Sequence, residues 1–157
     1  MAGEKKQIVI PKEDAVFWMD EHGYWHNEHG RFGHAKIIAH FHKSIRKDEG
    51  GYHVYQEADG VEERVYFSHG ETPLFVFNIR FEHGGLIHLV LNTGTAIELD
   101  PTTLFIKNDQ MYCRLPDHLI RFTEKALVKL SSFLEETPGG LCFVQGENRT
   151  PIPEMDN

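Results

Sequence analysis

The chain has 157 residues, 40% apolar and 25% charged, with 16 Lys and Arg against 24 Asp and Glu. That length and mixture support a folded domain with a sizeable core and exclude a disordered or collagen-like chain. The net charge of −8 repels a nucleic-acid backbone, so bulk nucleic-acid binding is not expected.

No apolar run approaches the ~20 residues of a membrane helix. Residues 1–10 hold no apolar secretory core, and Cys113 and Cys142 follow no CxxC spacing. A cytoplasmic protein with reduced thiols is therefore expected, with no membrane association. Residues 1–14 read as a polar lead-in. Residues 15–136 read as one α+β unit made of two motifs, about 15–58 and 62–136, and residues 137–157 as a loop and a loose tail.

Within the first motif, Phe17–His26 forms two short strands around a turn at Glu21–Gly23. A helix follows over His34–Asp48. Its apolar residues Ile37, Ile38, Phe41 and Ile45 fall in one stripe at 100° per residue, and Gly50-Gly51 ends it. Tyr52–Glu57 and Arg64–Ser68 are strands on either side of an Asp59-Gly60 turn.

The central hairpin is the firmest pattern. Phe75, Phe77, Ile79 and Phe81 share one face by period 2, as do Ile87, Leu89 and Leu91. A three-residue loop, His83-Gly84-Gly85, turns both sets to one side. It places Arg80 beside His88, Asn78 beside Val90, and Val76 beside Asn92. After a short strand over Thr95–Leu99, Leu104–Ile106 and Gln110–Arg114 form a further hairpin around Lys107-Asn108-Asp109. Asp117 is the N-cap of a second helix running to about Glu136, and Thr137-Pro138-Gly139-Gly140 stops it.

The two hairpin–helix pairs superpose. Met19 falls on Ile106 and Trp25 on Tyr112 at a shift of 87, and Phe41 falls on Leu130 and Ile45 on Leu134 at a shift of 89. A duplicated hairpin–helix motif around an antiparallel sheet is the expected architecture.

A string of short motifs runs through residues 15–136: Gly23-Tyr24-Trp25 before a helix, Gly51-Tyr52, Glu71-Thr72-Pro73-Leu74-Phe75, Leu91-Asn92-Thr93-Gly94 with Leu99-Asp100, and Tyr112-Cys113-Arg114. In this order they resemble the bacterial family catalogued as domain of unknown function 1285. The resemblance implies a fold with a repeated structural motif whose C-terminal half is loosely like a pleckstrin-homology domain. It also implies a ligand site between the halves, for a small anionic or nucleotide-like molecule, and a role in signalling. No activity is established for the family.

Three groups of residues carry the chemistry open to this chain. Eleven histidines would move the charge from −8 to +3 if all took a proton, so the surface is expected to respond to mild acid. His22, His26 and His29 are the metal-ligand candidates, although His40 and His42 lie 200° apart on the first helix and cannot share an ion. Arg80, His88 and Asn92 line the polar face of the central hairpin and, with Trp25, form the expected ligand site. Trp18, Tyr24, Trp25 and Tyr112 are expected as core against the helices. There is no GxSxG, no P-loop and no HExxH, so no catalytic residue and no cofactor are expected. The reading is a non-enzymatic module, regulatory in role, that binds a small ligand or a partner. The alternatives are a metal-dependent hydrolase built on the histidines and an oligomeric interaction protein.

Overall fold

Period-2 patterning dominates the chain, and among the described residues it yields seventeen strands and two short α-helices. The computed structural model describes residues 6–155. They fall into two units, divided between Pro73 and Leu74. No helix among the described residues is long and apolar enough to cross a membrane.

In the first unit the strands are β1 (Lys6–Ile10), β2 (Phe17–Met19), β3 (Trp25–Asn27) and β4 (Gly30–Arg31). The helix α1 (Ala35–Lys43) follows, then β5 (Ile45–Asp48), β6 (Gly51–Ala58) and β7 (Val61–Tyr66). One sheet has the order β1-β7-β6-β5, the other β2-β3-β4. The residues expected as a polar lead-in contain β1, which pairs in parallel with β7 from Lys6 opposite Val61 to Ile10 opposite Val65. Unpaired N–H and C=O groups on the edge of β7 supply the reason.

Trp25 is the centre of this unit, 1% exposed. Its ring lies 4.9 Å from Phe67, 5.3 Å from Phe41 and 5.8 Å from Phe17, at interplanar angles between 57° and 72°. Edge-on contacts of this kind suit the ring quadrupoles. The indole Nε1–H donates to His42 Nδ1 at 3.1 Å. A buried indole N–H needs an acceptor, and this one draws His42 inward on α1. Ile37, five residues earlier and 140° around the helix, is then turned to solvent at 47% exposure. The expected stripe of Ile37, Ile38 and Phe41 is thus rotated: Ile38, Phe41 and His42 face inward.

The expected helix over His34–Asp48 is also shorter. Ser44 closes its last turn, with both its N–H and its Oγ–H donating to His40 O, and β-branched Ile45 begins a strand. Gly50-Gly51 is not a helix stop. Asp48 pairs with Gly51 across a two-residue hairpin turn, Glu49-Gly50, and Gly51 sits at φ 111°, a region open to glycine.

In the second unit the strands are β8 (Phe75–Phe81), β9 (Ile87–Leu91), β10 (Ala96–Glu98), β11 (Leu104–Lys107), β12 (Gln110–Arg114) and β13 (Leu119–Phe122). The helix α2 (Glu124–Leu130) follows, then β14 (Leu134–Thr137), β15 (Gly140–Gln145), β16 (Asn148–Pro151) and β17 (Glu154–Met155). A seven-stranded sheet has the order β10-β9-β8-β13-β12-β11-β17, and β14-β15-β16 form a separate sheet. The large sheet is mixed rather than antiparallel, because β13 lies parallel to β8 and β17 parallel to β11.

The long second helix is a correction of the same kind. Leu119–Phe122 alternates half-buried and buried residues as a strand, and Thr123, not Asp117, is the N-cap. Its Oγ1 accepts from Ala126 N and donates to Val76 O, tying the helix start to β8. Thr137 pairs with Gly140 across a Pro138-Gly139 turn, so the expected helix stop is again a hairpin. The residues expected as a loop and a loose tail hold the strands β15, β16 and β17, with Phe143 of β15 buried and stacked 5.6 Å from Phe133.

In the central hairpin Asn78, Ile79 and Arg80 lie opposite Val90, Leu89 and His88, the expected register. A bulge between Val76 and Asn78 breaks it, so Val76 faces Leu91 rather than Asn92. The expected four-residue apolar face splits accordingly: Phe75 and Ile79 are buried, Phe77 and Phe81 exposed.

Burial also removes part of the expected acid response. It pushes the His42 pKa down from 6.5 to about 4, and the His53 and His69 values down as well. A histidine neutral in the fold takes its proton more readily in the unfolded chain. Stability is therefore full above pH 6.5 and falls as the pH drops toward 4. His42 alone should cost about 2 kcal/mol between pH 7.5 and pH 5. Urea unfolding at the two pH values should show this loss. His42→Gln, which keeps an acceptor for Trp25 but does not titrate, should lower stability at both and flatten the difference by that amount.

Candidate functional site

Each residue named from the sequence has a definite place. Trp25 lies in the first unit, buried and bonded to His42, and offers almost no surface to a ligand. Asn92 lies in the second unit and is also buried. Its side-chain Oδ1 accepts from Phe75 N at 2.9 Å, and its backbone N–H donates to Phe75 O. This amide fastens β9 to the start of β8 beside the bulge, which is structural work. Arg80 and His88 are cross-strand neighbours as expected. The Arg80 guanidinium is paired with the Glu82 carboxylate, which also lies 3.9 Å from His88 Nδ1. An anion there would compete with a carboxylate already in place. The fourth polar residue of that face, Asn78, accepts from Lys129 Nζ at 2.6 Å through Oδ1.

The histidines do not converge. His26 Nε2 lies 2.7 Å from Asp20 Oδ2, and its ring stacks on Trp18 at 5.7 Å. Partial burial raises the Asp20 pKa, but the His26 bond and the backbone N–H groups of Tyr24 and His22 outweigh it and hold the carboxyl below its usual range. His22 and His29 are 62% and 83% exposed, each near a neighbouring glutamate. Among the described residues no three His, Cys, Asp or Glu side chains are grouped to hold a metal ion. Cys113 is buried, and that burial pushes its thiol up, away from the reactive thiolate.

Two of the expected core aromatics, Trp18 and Tyr24, are instead 41% and 45% exposed. Tyr24 carries the guanidinium of Arg31, with Cζ 3.6 Å from the ring centroid. Stacking of this kind holds one face of the guanidinium and leaves its N–H edge available. No carboxylate pairs with Arg31 among the described residues. Arg31 lines a cleft of about 340 Å³ together with His29, His34, Phe32, Ile37 and Phe41. The cleft lies at the start of α1. His34, the N-cap, makes no side-chain capping bond, and the first turn contains no acidic residue.

A charge pattern in the sequence marks this place. Residues 29–47 hold five Lys and Arg, four His and no Asp or Glu, in a chain of net charge −8. The helical period of that segment marks its apolar residues, and the absence of acids is a separate signal that the period does not contain. Aromatic patterning in the central hairpin was similarly legible, but which face a bulge turns outward was not.

No protein-family model matches the chain, and no curated protein matches it. The fold has solved counterparts. A DUF1285 family protein from Silicibacter pomeroyi DSS-3 is similar at a TM-score of 0.63 and 10% identity, over 94% of this chain and 83% of that one. A DUF1285 family protein from Shewanella baltica OS155 is similar at a TM-score of 0.54 and 15% identity, over 77% of this chain and 94% of that one. At these identities the likeness is one of fold, and it agrees with the resemblance carried by the short motifs.

The contrast between Asn92 and Arg80 is measurable. Asn92→Ala leaves the Phe75 N–H buried without that acceptor and should cost about 2 kcal/mol in urea unfolding. Arg80→Ala removes an exposed ion pair and should change stability by less than about 0.5 kcal/mol.

Proposed function

We propose that this chain is a non-enzymatic, regulatory binding module, and that the cleft at the start of α1 receives the anionic group of a small molecule. The observation that carries the reading is Arg31, stacked on Tyr24 with no carboxylate partner among the described residues, at the mouth of that cleft. The acid-free run of residues 29–47 and the uncapped first turn of α1 favour the same sign of charge. The half-buried rings of Phe32 and Phe41, with exposed Ile37, give an apolar surface on which the body of the ligand rests. A nucleotide-like anion fits this description. Arg80 and His88 are the secondary candidates, weakened by Glu82.

The two units support a duplication in part. Ile45 pairs with Val54 and Leu134 with Phe143, so the meanders that follow the two helices match in register at a shift of 89. The hairpins before the helices match less well. Met19 pairs with Trp25, but Ile106 pairs with Met111, one residue out of step.

Thermal unfolding with adenosine monophosphate, inorganic pyrophosphate and adenosine tests the binding reading. The two anions should raise the unfolding temperature and adenosine should not. At a hundredfold excess over Kd the gain is about 2.7 kcal/mol, or roughly 6–10 °C for a chain of this size. Arg31→Ala should abolish the shift while Arg80→Ala leaves it intact. Loss with Arg80→Ala alone would move the site to the central hairpin, and no shift with either anion would end the anion reading.

A further inference from the structure

The first unit contains a larger cleft, of about 510 Å³, that shares no lining residue with the one at the start of α1. Its walls are Tyr52, on β6, and Tyr66, on β7. His69, just beyond β7, lines it, and Lys12 and Glu13 stand at its rim. The volume lies within the range typical of small-molecule pockets.

Most polar groups around this cleft are already committed. The Tyr66 hydroxyl donates to Asp48, with Oη 2.7 and 2.8 Å from the two carboxylate oxygens. Arg64 Nη1 lies 3.4 Å from the same carboxylate. Lys12 and Glu13 are adjacent and opposite in charge, so the rim favours neither sign.

His69 differs. Its Nδ1 lies 2.6 Å from the backbone oxygen of Gly70. A carbonyl only accepts, so Nδ1 carries the hydrogen, and on a neutral ring the lone pair lies on Nε2. Nε2 has no protein partner among the described residues, and it is not among the sealed, unpartnered polar atoms, of which the described residues hold one, His88 Nδ1. The ring is held by edge contacts with Tyr52 at 5.6 Å and Phe67 at 5.7 Å. His69 therefore brings one unpartnered acceptor, on a ring held in place, to the lining of a space bordered by Tyr52 and Tyr66.

We propose that this cleft is a second binding site, which takes an uncharged flat aromatic molecule carrying one N–H or O–H donor, with the ring against Tyr52 and Tyr66 and the donor on His69 Nε2. Electrostatics agree with the geometry. Burial, reinforced by the charge on Lys12 and only partly opposed by the Gly70 bond, lowers the His69 pKa and keeps the ring neutral at pH 7. Burial also pushes the Tyr52 pKa up to about 12, so that wall carries no charge.

Indole and 1-methylindole test this directly, because they share a ring system and differ by a single donor. The full chain, labelled with nitrogen-15, is titrated with each at pH 7.5, and amide shifts are followed by NMR. Indole should give saturable shifts concentrated at Gly50, Gly51, Tyr52 and His69, and 1-methylindole should bind roughly fivefold more weakly. His69→Phe should reduce indole to the level of 1-methylindole, and Lys12→Ala should leave the ratio unchanged. If His69→Phe fails to fold, the ratio of the two probes on the unaltered chain decides. Equal affinity for both probes, shifts centred elsewhere, or no saturable shift would overturn the proposal. None of these outcomes bears on the anion cleft, whose probes and variants are different.

Discussion

A buried indole must place its N–H on an acceptor, and in the first unit that requirement is met by His42. The bond joins the β2–β3 hairpin to α1 and sets the rotation of a nine-residue helix. Such a short helix has little stability of its own and takes its orientation from what it packs against. With His42 inward, Ile37 is outward, and the start of α1 lies open beside Arg31. A histidine chosen as an uncharged acceptor thus determines which side chains reach solvent more than a turn away. The cost is a group that resists protonation in the fold.

The elements most legible in the sequence were those with a strict period of two. The pairing of Asn78, Ile79 and Arg80 with Val90, Leu89 and His88 follows from keeping two apolar sets on one face. Helix lengths were less legible because two signals compete at Gly50-Gly51 and Gly139-Gly140. Glycine past an apolar run suits a helix end, and it equally suits a two-residue hairpin. β-branched Ile45 tips the balance toward strand in the first case, and the pairing of Leu134–Thr137 with Gly140–Phe143 does so in the second. The short strand Leu119–Phe122 does not separate from the second helix by pattern, because four residues fit either period.

The candidate site was legible only as chemistry, not as place. Arginine, histidine and aromatic residues were the right ingredients, but the sequence does not say which are already satisfied. Arg80 has a carboxylate beside it two residues along the chain, and Asn92 serves a backbone amide. Arg31, equally visible as a letter, differs because its segment contains no acid at all. The same distinction separates His26, bound to Asp20, from His69, whose second nitrogen has no such partner among the described residues. Function in this chain is legible through the groups left over after the fold has used the others.

The parallel seating of β1 against β7 has a further bearing. Strand β7 would otherwise be the outermost strand of its sheet, with Val61–Tyr66 exposing its free edge to any other chain. The opening segment acts as a built-in shield, and the residues just after it, Lys12 and Glu13, also rim the larger cleft. Trimming the protein to Pro11 would therefore uncover a sticky border while leaving that rim untethered, which ties the solubility of the first unit to the integrity of this hollow.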